Sequence, residues 1–329
     1  MTDEEDVTFQ LLRLAGAPPG PQAERSARVR EVVHREWLIG QRRRRVVRRR
    51  AVIALLGVAA SLVMAVWMNR PHSVAPPSIR MVAIGQRIQG QPVILHQSRH
   101  PAAPQALTAS SSVYPGDLIQ TDDMSRAALL AADGSSVRID RASRLRFLEP
   151  AVIEVIAGGA YVATSNGSHG FVVRTAMGAV RDLGTQFEVR LTASSLRIRV
   201  RSGAVELGRD ATITTAEAGT EAMVTSTGIA VRRLPAYGPE WTWTTDIAPS
   251  FAIEGRSLRA FLEHLAGEEG WVLQYASAGV ADAASRTILH GSVEGLQAEQ
   301  ALDVALATSE LQYRLRGGEL LVSRAAPAR

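Results

Sequence analysis

The sequence predicts a multi-domain chain: a single transmembrane helix, then an all-β domain (sandwich or solenoid-like), then a small α+β domain of order βαββαββ. Three observations predict it. Ala51–Met68 is an eighteen-residue stretch without a charge. From Met81 to about Leu234 apolar residues recur with period two between turn signals. After Trp241 helical and strand patterns are mixed. The resulting segments are an arm (1–50), a membrane span (51–68), a linker (69–80), a β domain (81–240) and a C-terminal unit (241–329).

The span reads AVIALLGVAASLVMAVWM. As a helix it would rise about 27 Å, close to the thickness of a bilayer's hydrocarbon core. Arg42, Arg43, Arg44, Arg45, Arg48, Arg49 and Arg50 precede it, and Asn69, Arg70 and Pro71 follow. Short Arg-rich flanks stay on the cytoplasmic side, so the arm is expected inside and residues 69–329 outside. A buried core helix is disfavoured because the stretch has no polar face. A cleaved signal peptide would need a fifty-residue charged leader.

All 37 basic residues of the Lys+Arg total are Arg, and the net charge is +5. The excess is local. Residues 1–50 hold twelve Arg against seven Asp and Glu, and the rest of the chain is balanced. Attraction to anionic lipid accounts for such a juxtamembrane cluster better than nucleic-acid binding does, so no direct nucleic-acid partner is expected. Cysteine is absent, which excludes Cys-ligated zinc.

In the arm, Leu11 and Leu12 belong to a short apolar turn that Gly16, Pro18, Pro19, Gly20 and Pro21 terminate. A second helix is expected over roughly 22–41, with Val29, Val33 and Trp37 at i, i+4 and i+8 on one face. Such thin stripes cannot bury a core alone. They dock on a partner as groove ligands, lie on the membrane, or serve as a tether, and Trp37 is the anchor expected to matter most.

The β domain shows clear runs at 136–140, 144–148, 151–156, 160–164, 171–175, 186–191, 196–201, 204–207, 212–214 and 229–233, with another around Val180. Asp133-Gly134, Gly158-Gly159, Gly203 and Gly208 punctuate them. Leu196-Arg-Ile-Arg-Val200 alternates strictly and predicts a half-buried strand with one wet face. The Ala-, Pro- and Ser-rich stretch 97–112 is expected to be a loop.

The stretch Gly170–Val189, GFVVRTAMGAVRDLGTQFEV, resembles the core of the FecR domain. Phe171, Val173, Thr175, Gly178, Val180, Gly184, Thr185, Phe187 and Val189 carry the likeness. Gly134–Val137, Ser143–Leu145, Gly158–Tyr161, Val200, Gly203 and Val205 extend it to about 130 residues. The resemblance implies an inner-membrane regulator, an anti-sigma factor of FecR type, that controls an extracytoplasmic-function sigma factor. Physically, Gly184 between two alternating runs suits a bulge or tight bend, so Gly184, Thr185, Phe187 and Val189 are expected to be architectural.

In the C-terminal unit, strands are expected at 251–254, 271–275 and 287–293, with a hairpin of 311–315 and 319–323 about Gly317-Gly318. One helix is expected after an N-cap at Ser257, with Leu258, Phe261, Leu262 and Leu265 inward. A second is expected over 296–309, with Ala298, Ala301, Leu302 and Ala305 on one face. This order resembles the short N-terminal domain of secretins and TonB-dependent receptors, which implies docking on an outer-membrane receptor or other periplasmic protein. The unit either adds a strand to a partner or packs on the β domain.

The seven His include His264, expected on the solvated side of its helix, and none stands in a metal-binding spacing. Nucleophile elbow, phosphate loop and dinucleotide fingerprint are absent. No catalytic residue, metal or cofactor is expected, and the chain is not expected to be an enzyme. A membrane signal transducer and an envelope assembly protein that docks on a secretin-like or receptor complex both remain open.

Overall fold

The computed structural model describes residues 80–97, 103–164, 170–209, 212–307 and 309–325. The arm, the stretch 51–68 and the linker up to residue 79 lie outside them. Among the described residues no helix is long and apolar enough to cross a membrane.

Among the described residues seventeen strands form two facing layers. The first sheet runs β4 (Ser112–Val113), β1 (Ala83–Gln89), β6 (Arg126–Ala131), β7 (Ser136–Ile139), β9 (Val152–Ala163), β12 (Gln186–Leu191), β13 (Leu196–Ser202), β16 (Thr220–Thr225) and β17 (Gly228–Arg233). The second runs β3 (Gln105–Ala106), β2 (Val93–Leu95), β5 (Leu118–Gln120), β8 (Arg144–Glu149), β9 again, β10 (Val172–Thr175), β11 (Gly178–Asp182), β14 (Ala204–Arg209) and β15 (Thr212–Glu217). From β10 onward the chain lays down one hairpin in the second sheet and the next in the first, alternately. This zigzag extends the sandwich along one axis, so it shares the progressive character of a solenoid. The alternating inward residues, Val137, Phe147, Ile153, Val173, Phe187, Ile198 and Leu207 among them, form one buried core between the layers.

Strand β9 corrects one expectation. Gly158-Gly159 was expected to separate two strands, yet 152–163 is continuous. Its first half pairs with β8 in the second sheet and its second half with β12 in the first. Gly158 makes the bend with φ 79°, and a Cβ there would lie 2.3 Å from Ser143 Oγ and 2.6 Å from Ala142 O. Only glycine allows that approach. Strands β1, β2, β5, β6 and β16 escape clear detection in the sequence. β6 (RAALLA) is buried on both faces for most of its length, so it does not alternate. The expected loop 97–112 contains β3 and reaches β4.

The C-terminal unit departs from the expected βαββαββ order. A 3-10 turn (Pro239–Trp241) leads into a short helix α1 (Thr242–Asp246), followed by α2 (Leu258–Glu269), β18 (Val272–Tyr275), α3 (Ala278–Arg286), α4 (Ala298–Ala307), β19 (Leu311–Arg316) and β20 (Glu319–Arg324). The sheet order is β18-β20-β19, with β18 parallel and β19 antiparallel to β20. Residues 251–254 form no strand, and 287–293 contributes a single bridge, Ile288 to Ser257. Ile253 and Leu289 still bury their side chains, so the apolar pattern is real but serves packing without a ladder. Helix α3 was missed because its buried face is only Val280 and Ala284 within an Ala-rich run.

Helix α2 begins where expected. Ser257 Oγ accepts from the Ala260 N–H at 3.2 Å, and Gly270 ends the helix in the left-handed conformation at φ 70°. Ser257→Ala should lower the stability of this unit by about 1 kcal/mol, read from the denaturant midpoint.

Candidate functional site

Along the first sheet, alternation sends Phe187, Val189, Ile198 and Val200 inward and Arg138, Tyr161, Glu188, Arg190, Arg197, Arg199 and Arg201 outward. The expected wet face of Leu196–Val200 is therefore there, but it is not wet. Arg199 is 9 % exposed and Arg201 3 %. The segment after β17, with α1 and α2, lies across that face.

The contacts between the two lobes are polar and directional. Arg138, 1 % exposed, donates from Nη1 to the Thr244 carbonyl at 2.8 Å and from Nη2 to Glu268 at 2.7 Å. Arg126 Nη1 reaches Asp246 at 3.2 Å, and Arg87 donates to the Ala248 carbonyl at 2.8 Å. Arg201 donates to the Ala236 carbonyl at 2.9 Å and also to the Glu268 carbonyl. Its guanidinium carbon stands 4.6 Å from the Trp241 ring centroid. Tyr161 packs edge-on against Trp241 and Trp243, at 6.2 and 6.5 Å, while Arg138 sits 5.1 Å over the Tyr161 ring. Such cation–π contacts strengthen when desolvated, as they are here.

Behind this seam runs a chain of ion pairs. Arg126 and Arg190 both bind Asp140; Arg190, Arg197 and Arg199 all bind the fully buried Glu188; Arg199 and Arg232 share Glu221. Each buried carboxylate thus holds two or three arginines across neighbouring strands. Buried pairs of this kind contribute little net stability against apolar replacements, but removing one member strands the other.

Titration follows the geometry. Burial alone would raise the Glu268 carboxyl, but Arg138 outweighs it and the group titrates below its ordinary range. Glu269 goes the other way, pushed up by burial and by the Glu268 and Asp246 carboxylates. His264 is lowered by burial: its ring stacks on Phe251 at 4.3 Å and 17°, which corrects its expected solvated position. A cleft of about 130 Å³ opens beside it, with Phe251, Leu265, Glu268, Glu269 and Arg87 in its lining.

The residues expected to be architectural meet at a corner between the layers. β11 ends at Asp182 in the second sheet and β12 starts at Gln186 in the first. Between them Gly184 takes φ 95°, and its N–H donates to Asp182 Oδ1 at 2.9 Å. The Thr185 hydroxyl donates to the same oxygen. The Thr185 N–H donates to Thr164 Oγ1 at 3.0 Å, and that hydroxyl donates back to the Thr185 carbonyl. Phe187 and Val189 then enter the core opposite Val162 and Ala160. Gly184, Thr185, Phe187 and Val189 therefore act together. Leu11, Leu12, Val29, Val33, Trp37 and the seven arginines from Arg42 to Arg50 lie outside the described residues. Arg138, Glu268 and Trp241 were missed as site residues. The available signal was Arg at matched parity on adjacent strands, followed by Trp-x-Trp after the last of them. Among the described residues no three His, Asp or Glu cluster as metal ligands.

Residues 117–206 match the family model described as FecR protein, and the chain carries a FecR domain. Two crystal structures of a candidate anti-sigma factor from Parabacteroides distasonis ATCC 8503, at 1.65 and 2.50 Å, are similar to it at 16 % identity and a TM-score of 0.34. The alignment covers 64 % of this chain and 99 % of theirs. No curated protein matches the chain.

Proposed function

We propose that this chain is a single-pass bacterial inner-membrane signal transducer of FecR type. Its arm engages an extracytoplasmic-function sigma factor in the cytoplasm. Its outer lobes receive the signal from an outer-membrane receptor or another periplasmic protein. The observation that carries this reading is the FecR domain, placed after an uncharged eighteen-residue stretch that seven arginines precede. The lobe seam adds a route for the signal: whatever pulls on the C-terminal unit acts through Arg138 and Arg201 on strands of the same sheet.

The test uses the full chain in its membrane. Purification should recover an RNA-polymerase sigma subunit, and Trp37→Ala should weaken that interaction roughly thirtyfold, since aromatic anchors are typically worth about 2 kcal/mol or more. Protease added outside should digest the sandwich and spare the arm. Recovery of lipid alone would defeat the signalling role and leave an envelope assembly protein.

A further inference from the structure

Among the described residues nothing covers one end of the sandwich. There the first sheet finishes in β4 and the second in β3, strands of two residues each. They pair with β1 and β2, not with each other. Between these edges lies a cavity of about 270 Å³, lined by Ile94, His96, Gln105, Ser111, Ser112 and Tyr114 among others. A single water occupies about 30 Å³ of liquid, so the space admits a small organic group.

The lining is built around a fixed imidazole. His96 Nδ1 lies 2.8 Å from Asp117 Oδ2, and Asp117 is 1 % exposed. Asp117 also accepts from the Gln97 N–H at 3.2 Å and the Tyr114 N–H at 2.9 Å. With its carboxylate engaged this way, Asp117 holds the ring and leaves Nε2 as the remaining polar atom of His96. The Tyr114 ring stands 6.4 Å from the His96 ring at 59°, giving the cavity an aromatic wall and a phenol. Gln105 supplies an amide with both donors and an acceptor, Ser112 a hydroxyl, and Ile94 an apolar floor. Among the described residues no carboxylate or guanidinium lines the space.

Many neutral donors and acceptors, one aromatic face and an apolar floor suit a ligand rich in hydroxyls and amides and free of net charge. Among the described residues the lining offers a charged ligand only the His96 imidazole, which Asp117 already engages, so most of its charge would be desolvated without compensation. We propose that this cavity binds a neutral N-acetylated sugar unit of a glycan, with Tyr114 as its stacking wall and His96, Gln105 and Ser112 as its hydrogen-bonding groups.

Saturation-transfer NMR on the full chain in a detergent without a sugar headgroup tests this, with chitotriose as the probe. Transfer to the N-acetyl methyls is expected at millimolar sugar. Gln105→Ala should weaken binding about fivefold, the loss of roughly one neutral hydrogen bond, with an unchanged melting temperature because Gln105 is exposed. Tyr114→Ala should abolish it. Absence of transfer from the folded wild-type chain would overturn the proposal. So would transfer that both variants leave unchanged, or equal transfer to triglycine.

Discussion

Arg138→Ala should loosen the seating of the C-terminal lobe by about 3–5 kcal/mol, the usual loss when one member of a buried ion pair is removed. The change leaves the Glu268 carboxylate in place without its 2.7 Å partner and frees the Thr244 carbonyl. It also removes the cation over Tyr161. Hydrogen exchange should rise first in 241–269 and only later in the sandwich core. The apolar double replacement Arg138→Met with Glu268→Leu should recover most of the loss, because both charges then leave together. The effect of Arg138→Ala has a definite pH dependence. The Glu268 carboxyl is depressed in the seated lobe, so its contribution is fully present above the ordinary carboxylate range and is lost as pH falls through the depressed value. The gap between variant and wild type should therefore narrow in acid. No change in exchange over 241–269 at neutral pH would show that the seam does not hold the lobe.

Gly203→Ala should cost about 3 kcal/mol or more, combining a left-handed conformation for a residue with Cβ and an overpacked corner. Gly203 has φ 73°, and an added Cβ would lie 2.4 Å from the Gly184 carbonyl oxygen and 2.6 Å from Thr185 Cγ2. Neither atom can retreat, since Thr185 is bonded to Asp182 and Thr164. The denaturant midpoint reports the loss. Gly267→Ala provides the contrast: it sits inside helix α2, nothing lies within 4 Å of its Cβ position, and alanine should be neutral or stabilise by up to about 1 kcal/mol. Similar losses for the two would mean the corner is not as tight as its geometry implies.

Much of the sandwich was legible because its strands are covered on one face by core and carry polar residues on the other, as in β12 and β13. The failures have the same root. β6 is buried on both faces, so its alternation disappears. The outward arginines of β13 read as solvated because charge on a strand normally means water. Here it means cover by the C-terminal lobe, and the strand's own alternation is the same in either case. At Gly158-Gly159 the sequence marks a change of direction correctly, but a glycine pair cannot say whether a strand ends or bends between layers. Gly184, Thr185, Phe187 and Val189 stand close together in sequence, so the bend they form is a local feature. The seam is not, because Arg138 meets Glu268 across 130 positions.

The segment that identifies the domain and the segment that can stand as an object are different lengths. Residues 117–206 begin beside β5 and stop inside β14. A fragment cut to those limits would lack β1 against β6, β16 against β13, and all of β15 against β14. It would also lack the tail that roofs the arginines. Such a piece would present raw sheet borders and a slab of half-matched charge, the profile of an insoluble product. The smallest fragment worth producing therefore starts before Val82 and runs through Arg324, and its last third serves as the roof of the first two.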